Sequence, residues 1–194
     1  MKAELLTENQ IPEAIGIAQG VFDYCLRAQI TDLEMIHIFL QYTKEEAVRR
    51  MVADGELLLW GIFEKGNMIA MSGMQKEGHI TMLYVLPVFQ RRGCGSCLLG
   101  EMKAYAAETY GHAAVTLSAM PAWTAAYFKK RGFVPMQTTQ PCSFVPMQAK
   151  TAARVQYEEK ELSPAAVLLT GIGGLVLCTA IAVAFMVAWM HGIV

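Results

Sequence analysis

The residues best suited to chemistry lie in one stretch, Val85-Leu86-Pro87-Val88-Phe89-Gln90-Arg91-Arg92-Gly93-Cys94-Gly95-Ser96-Cys97-Leu98-Leu99. A strand-like run ends, a short loop carries Gln90, Arg91, Arg92, Gly93 and Gly95, and a helical pattern begins. The first N–H groups of a helix have no acceptor within the helix and sit at the positive end of its dipole. Glycines let an anion approach that backbone closely, and the two arginines add charge. This is a design for binding a pyrophosphate. No Gly-Lys-Ser/Thr closes the loop, so it is not a P-loop. The G-x-G-x-x-G spacing is absent, so it is not a dinucleotide fingerprint.

The elements that must position this loop are readable from periodicity. Residues 11–28 carry Ile11, Ala14, Ile15, Ala18, Val21, Phe22 and Cys25 at helical spacing, and residues 44–54 read as a second helix. Glu56–Phe63 and Met68–Met74 read as strands joined by the turn Glu64–Asn67, a hairpin. His79–Val85 is a third strand, closed or bulged by Pro87. Gly93–Tyr110 is a helix, Ala114–Ser118 a strand, and Pro121–Arg131 a helix ended by Gly132. Phe133–Met136 and Ser143–Gln148 are closing strands, and residues 149–161 a polar linker. The order predicts an α/β fold, a mixed sheet with helices on both faces.

Strand, Val-x-Pro, Gln-x-x-Gly-x-Gly and helix, in that order, resemble motif A of the GNAT superfamily of acetyl-CoA-dependent N-acetyltransferases. Its core is (Q/R)-x-x-G-x-(G/A), matched by Gln90, Gly93 and Gly95. Ala125-Ala126-Tyr127-Phe128-Lys129-Lys130-Arg131-Gly132-Phe133 resembles motif B, which ends in Gly-Phe. The motifs anchor residues from about 79 to 133, and the element order agrees to about 148, giving a domain over residues 1–148. The resemblance implies a mixed, mostly antiparallel sheet whose central strand splays from its neighbour. Acetyl-CoA, the co-substrate, enters the resulting V. Backbone groups around Leu83, Tyr84 and Val85 would pair with its pantetheine arm. N–H groups from Gln90 through Arg91, Arg92, Gly93, Cys94 and Gly95 to Ser96 would hold its pyrophosphate. The N–H near Val85 would polarise the thioester carbonyl. A neutral primary amine attacks directly, so Cys94 and Cys97 need not be nucleophiles.

Two departures concern proton transfer. Many family members place a proton-donating Tyr four residues before the motif B glycine. Here that position is Phe128 and Tyr127 precedes it, a rotation of about 100° on a helix. The Asn often found at the start of this helix is replaced by the run Ser118-Ala119-Met120-Pro121. Histone-type members carry a Glu base early in the motif A strand. His79 falls at about that place, and Glu77 lies two residues earlier, on the same side if the strand reaches it. Tyr127, His79 and Glu77 are thus the candidate catalytic residues, with a packed aromatic the structural alternative for Tyr127 and a solvated strand end that for His79. Phe128 also keeps open a second expectation, a fold that binds acyl-CoA without turnover, as a sensor or scaffold.

Other candidates are weaker. Cys94-x-x-Cys97 straddles the loop without a thioredoxin-like setting and reads as incidental. His37 and His112 have no neighbours at ligand spacing, so no metal is expected. Lys129-Lys130-Arg131 suits CoA phosphates or anionic headgroups, and equally a solvated helix end. Trp60, Trp123 and Tyr42 are candidates for an acceptor pocket, with core packing the alternative for Trp60.

Composition sets the surroundings. The 194 residues carry a net charge of -1, which excludes an electrostatically driven nucleic-acid binder. Five scattered cysteines, Cys25, Cys94, Cys97, Cys142 and Cys178, give no disulfide framework, and the N-terminus lacks a signal-like apolar run. The hydrophobic fraction of 54% is unevenly spread: every charged side chain lies at or before Glu161. Residues 162–194 form an apolar tail, and Pro164–Met190 exceeds the roughly 20 residues that cross a ~30 Å hydrocarbon core. Lys150, Arg154 and Lys160 precede this run and no Lys or Arg follows. The expectation is a single-pass, tail-anchored membrane protein with its amino-terminal domain in the cytoplasm. Thr170, Gly174, Cys178 and Ala182 form a small-residue stripe, which makes a homodimer through the span one candidate assembly.

Overall fold

The computed structural model describes residues 1–30, 33–137 and 144–153. In chain order the elements are β1 (Ala3–Leu5), α1 (Ile11–Val21), α2 (Leu33–Tyr42), α3 (Glu45–Ala53), β2 (Leu57–Glu64), β3 (Asn67–Gln75), β4 (His79–Val85), α4 (Cys94–Tyr110), β5 (Ala114–Ala119), α5 (Ala125–Lys129), β6 (Val134–Pro135) and β7 (Val145–Lys150). The strands form one sheet in the order β1-β2-β3-β4-β5-β7-β6. Every pairing is antiparallel except β4 with β5.

Both faces of the sheet are covered. Ile11, Ala14, Ile15, Ala18 and Val21 of α1 lie three or four residues apart, on one face of the helix. With Val48 of α3 they bury Leu57, Leu59, Met71 and Met82. On the other face Leu98, Leu99, Met102 and Ala106 of α4 pack on Trp60, Ile62, Met74, Leu117 and Met147. Trp60 is fully buried there, so its role is packing and not the lining of an acceptor pocket.

The sheet is closed between β3 and β4 and open between β4 and β5. Gly73 faces Met82 while the next residue, Met74, faces Ile80. One extra residue, Thr81, therefore sits on β4 as a bulge, which bends a strand and increases its twist. Thr81 donates to the Gly73 carbonyl at 3.3 Å. A Cβ at Gly73 would stand 3.1 Å from the Leu59 side chain and 3.3 Å from the Thr81 hydroxyl, so glycine leaves room for the bulge. β5 registers with β4 only before this point, at His79↔Thr116 and Ile80↔Leu117. Beyond Ile80 the two strands part into a V.

The structure differs from the expected elements in five places. β1 was not predicted; its three residues are a strand because they pair with β2, Ala3 opposite Ile62 and Leu5 opposite Trp60. α2, LEMIHIFLQY, was not predicted either. The helix expected over 121–131 is a 3₁₀ turn, Ala122–Thr124, followed by the short α5. The last strand runs over Val145–Lys150, two residues later than expected, and β6 has only two residues. Among the described residues no helix is long and apolar enough to cross a membrane. The run 164–190, most of the 149–161 linker, Cys142 and Cys178 lie outside the described residues.

Candidate active site

The open edge of β4 has a defined polarity. Leu86 N–H donates to Ile69 O at 3.0 Å. In an antiparallel pair, bonded and non-bonded positions alternate, so Tyr84 and Met82 turn their backbone groups to β3. Leu83 and Val85 turn theirs into the V. These are two of the three positions the sequence named for pantetheine pairing. The third, Tyr84, presents its side chain to the opposite face, edge-on to Phe39 at 6.1 Å. Burial pushes its phenol well above the ordinary range, so it stays protonated.

The loop after β4 folds as the glycines require. Arg91 and Gly93 both have positive φ, 63° and 91°. Gly93 is the N-cap of α4, and a Cβ there would enter open space. The first helical bond runs from Cys97 N–H to Gly93 O at 2.9 Å. The N–H groups of Cys94, Gly95 and Ser96 therefore stand at the head of the helix without an i−4 helical acceptor. Gln90 serves differently from expectation. Its N–H is used by Pro87 O at 3.2 Å. Its side-chain amide donates to Val85 O at 3.1 Å and to Cys25 Sγ at 3.8 Å. Gln90 thus shapes the loop and occupies one carbonyl of the open edge instead of offering an N–H. Arg92 stacks on Phe89 at 5.1 Å, an exposed cation beside the loop.

Tyr127 comes to the same place from α5. A Cβ on Gly95 would run into the Tyr127 hydroxyl, with Val85 the next neighbour at 3.9 Å. The phenol therefore lies over the head of α4, between the loop and the open edge. Burial raises its pKa, while the Arg131 cation and hydrogen bonding to Ser96 pull it back. Phe128, in the position where the family pattern has Tyr, is packed against the core, edge-on to Phe133 at 5.8 Å.

His79 lies at the vertex of the V. Its Nδ1 is 2.9 Å from Thr116 Oγ1, and burial lowers its pKa. Six residues of strand, about 20 Å at ~3.3 Å each, separate it from Val85. The structure does not bring it to Tyr127. Glu77 precedes the first residue of β4, so it does not share a strand face with His79. It lies in the turn, 65% exposed, 4.0 Å from Lys76. Cys94 is buried, donates to Phe89 O at 3.6 Å, and has its thiol pKa raised chiefly by burial, a structural thiol. Cys97 is also free. His37 meets Gln41 and His112 meets the Lys76 carbonyl. No group of three metal-ligating side chains occurs among the described residues. Trp123 and Tyr42 are exposed.

Arg131 is the site residue that the sequence reading treated only as part of a basic run. It lies on the Tyr127 ring and bonds Ser96. The available signal was the four-residue spacing from Tyr127, which puts both side chains on one helix face.

The residues present fit an extended, amide-bearing chain with a diphosphate at one end. Leu83 and Val85 offer backbone groups along a slot, the glycine loop and helix head lie at its mouth, and Arg91, Arg92 and Arg131 flank that mouth.

The family model for the acetyltransferase (GNAT) domain matches residues 26–151. A comparison with curated proteins finds no match. Among solved structures, the chain is similar to the PaiA N-acetyltransferase of Thermoplasma acidophilum in complex with coenzyme A. Identity is 17%, coverage 77% of this chain and 99% of that one, and the TM-score 0.64. It is similar to a GCN5-related N-acetyltransferase of Rhodopseudomonas palustris at 19% identity, with 76% and 94% coverage and a TM-score of 0.63. It is also similar to Tetrahymena GCN5 at 14% identity, with 81% and 100% coverage and a TM-score of 0.58. Identities this low speak for the fold alone, but the family model spans more than half of the sequence, and the chain belongs to the GNAT acetyltransferase family.

Proposed function

We propose that this chain is an N-acetyltransferase that moves an acetyl group from acetyl-CoA to a primary amine by direct attack. The observation that carries the reading is the V itself: β4 leaves β5 after Ile80, and its free edge ends at a glycine loop and a helix head. Acetyl-CoA supplies an acyl group activated as a thioester. The N–H groups of Gly93 to Ser96, with Arg91 and Arg92, would hold its diphosphate. Leu83 and Val85 would align its amides, with the thioester carbonyl deeper in the slot than the diphosphate. Tyr127, whose hydroxyl lies over Gly95, would stand beside the diphosphate. His79, near the vertex, would act on the incoming amine through water, and Glu77, exposed in the turn, would take no part.

We further propose that residues 164–190 tether the domain to a membrane, with the domain on the cytoplasmic side. The support is sequence pattern alone: an uncharged run of sufficient length, preceded by Lys150, Arg154 and Lys160.

The test uses the full-length chain in detergent. Calorimetry should show acetyl-CoA binding, and Gly93→Glu should weaken it on the order of hundredfold or more, because like charge at a binding site costs several kcal/mol. The side chain would also face an unfavourable backbone, since φ at Gly93 is 91°. If wild type does not bind, the reading fails. The sensor or scaffold reading is favoured by one observation, the packing of Phe128 into the core where a proton donor is common. Binding without thiol release against any primary amine would select it.

A further inference from the structure

The two faces of the V are unequally covered. Leu117 and Ala119 of β5 pack under α4 and are 3% and 0% exposed. Side chains alternate along a strand, so Thr116, Ser118 and Met120 turn to the opposite face, that of α1 and α2. There Ser118 is exposed and Met120 only partly covered. Thr116 meets His79 on this face at the vertex, 2.9 Å from its Nδ1. On the α4 side the V is sealed by packed side chains; on the α1–α2 side its β5 arm is uncovered.

What borders that opening is apolar. Phe22, in the turn that follows α1, stacks on Phe39 of α2 with ring centres 3.7 Å apart. Phe39 in turn meets the Tyr84 ring edge-on at 6.1 Å. Leu26, Ile36 and Met120 pack on these rings and each keeps part of its surface uncovered. Tyr84 belongs to the β4 arm and Met120 follows the β5 arm, so one apolar cluster spans both arms of the V on its open face. Asp23 and Arg27 of the same segment offset each other at 3.8 Å. We propose that the acceptor is a primary amine carried on an apolar body, and that Leu26, Ile36 and Met120 receive that body while the nitrogen enters the V. This rests on the reading of the chain as an acetyltransferase.

The step balances. The neutral amine nitrogen forms a bond to the carbonyl carbon, the carbon–sulfur bond breaks, and its electron pair goes to sulfur. The proton that the nitrogen sheds ends on the thiolate through water. The apolar body takes no part in this exchange. Its burial supplies binding, which an amine with a second charge at the same place would forfeit, since a desolvated ammonium needs a partner.

The experiment follows thiol release by the full-length chain in detergent against propylamine, butylamine, pentylamine and hexylamine. Their amino groups are almost equally basic, so the neutral fraction is constant and only apolar length varies. Hexane-1,6-diamine, spermidine, free lysine and a lysine-containing peptide complete the panel. Along the alkyl series kcat/KM should rise about threefold to fourfold per methylene, the value of burying one. Hexane-1,6-diamine, with a second cation at its far end, should fall about a hundredfold below hexylamine. Ile36→Ala should shrink the ratio of hexylamine to propylamine about fivefold and leave KM for acetyl-CoA unmoved. A flat alkyl series, a diamine as good as hexylamine, or an unchanged ratio in Ile36→Ala would each overturn the proposal. Thiol release with spermidine, lysine or the peptide but not with the alkylamines would overturn it and leave the acetyltransferase reading standing. If no amine of the panel releases thiol, that reading falls and takes the proposal with it. Should Ile36→Ala fail to fold, Met120→Ala carries the same ratio, and the wild-type series needs no variant.

Discussion

At the His79 end of β4 the backbone has partners on both sides, β3 through Met74↔Ile80 and β5 through Ile80↔Leu117. At the Val85 end it has β3 alone, and the other side faces a glycine loop, a helix head, a phenol and a guanidinium. Six residues separate a finished piece of sheet from an unfinished one. The finished end carries the side chains that look most like chemistry, His79 and Glu77. The unfinished end works chiefly with backbone groups, whose identity no residue letter announces. Where chain geometry creates unsatisfied donors, a ligand is the natural partner.

If that contrast is right, damage at the open end should exceed damage at the closed end. The largest effect expected is loss of acetyl-CoA binding in Gly93→Glu, read by calorimetry. Next is Tyr127→Phe, with KM for acetyl-CoA raised about threefold to tenfold and kcat little changed, as loss of a binding contact beside the diphosphate predicts. A fall in kcat with KM unchanged would put the phenol at the reacting atoms instead. His79→Gln should leave acetyl-CoA binding within about twofold of wild type; a larger loss of binding would invert the comparison.

His79 also sharpens the contrast through stability. Burial lowers its pKa from 6.5, so the folded state prefers it neutral. Its contribution is whole above the unfolded pKa and is lost as pH falls through the lower folded value, because the unfolded chain takes up the proton first. Thermal melting between about pH 8 and pH 5 should therefore fall less steeply in His79→Gln than in wild type. The smallest effect belongs to Glu77→Gln: exposed in a turn, it should change stability by less than about 0.5 kcal/mol and leave thiol release unaltered.

Some of this was legible before any fold was known. β4 begins and ends at the expected residues, and α4 starts one residue later than expected because Gly93 is its cap. Both followed from strong local signals, a short apolar and β-branched run bounded by turn residues and a glycine before a helical pattern. The bulge at Thr81 was not legible, since it arises from the register between two strands and the space left at Gly73. β1 has too few residues to show a period. The Arg131–Ser96 bond joins residues 35 apart in sequence, across two helix ends whose approach is set by core packing. A basic run at the end of a helix gives no hint of which of its members will be captured.

The Gln90 amide on the Val85 carbonyl has a consequence for the empty protein. A bare strand edge is a template on which another polypeptide can add itself, the usual route to unwanted self-association. Such addition needs donors and acceptors in strict alternation. By taking one acceptor at the mouth of the slot, Gln90 interrupts that alternation, so the free edge is a poor template for a neighbouring chain yet keeps its donors for a slender guest. One side chain thereby guards the protein against its own kind while it waits.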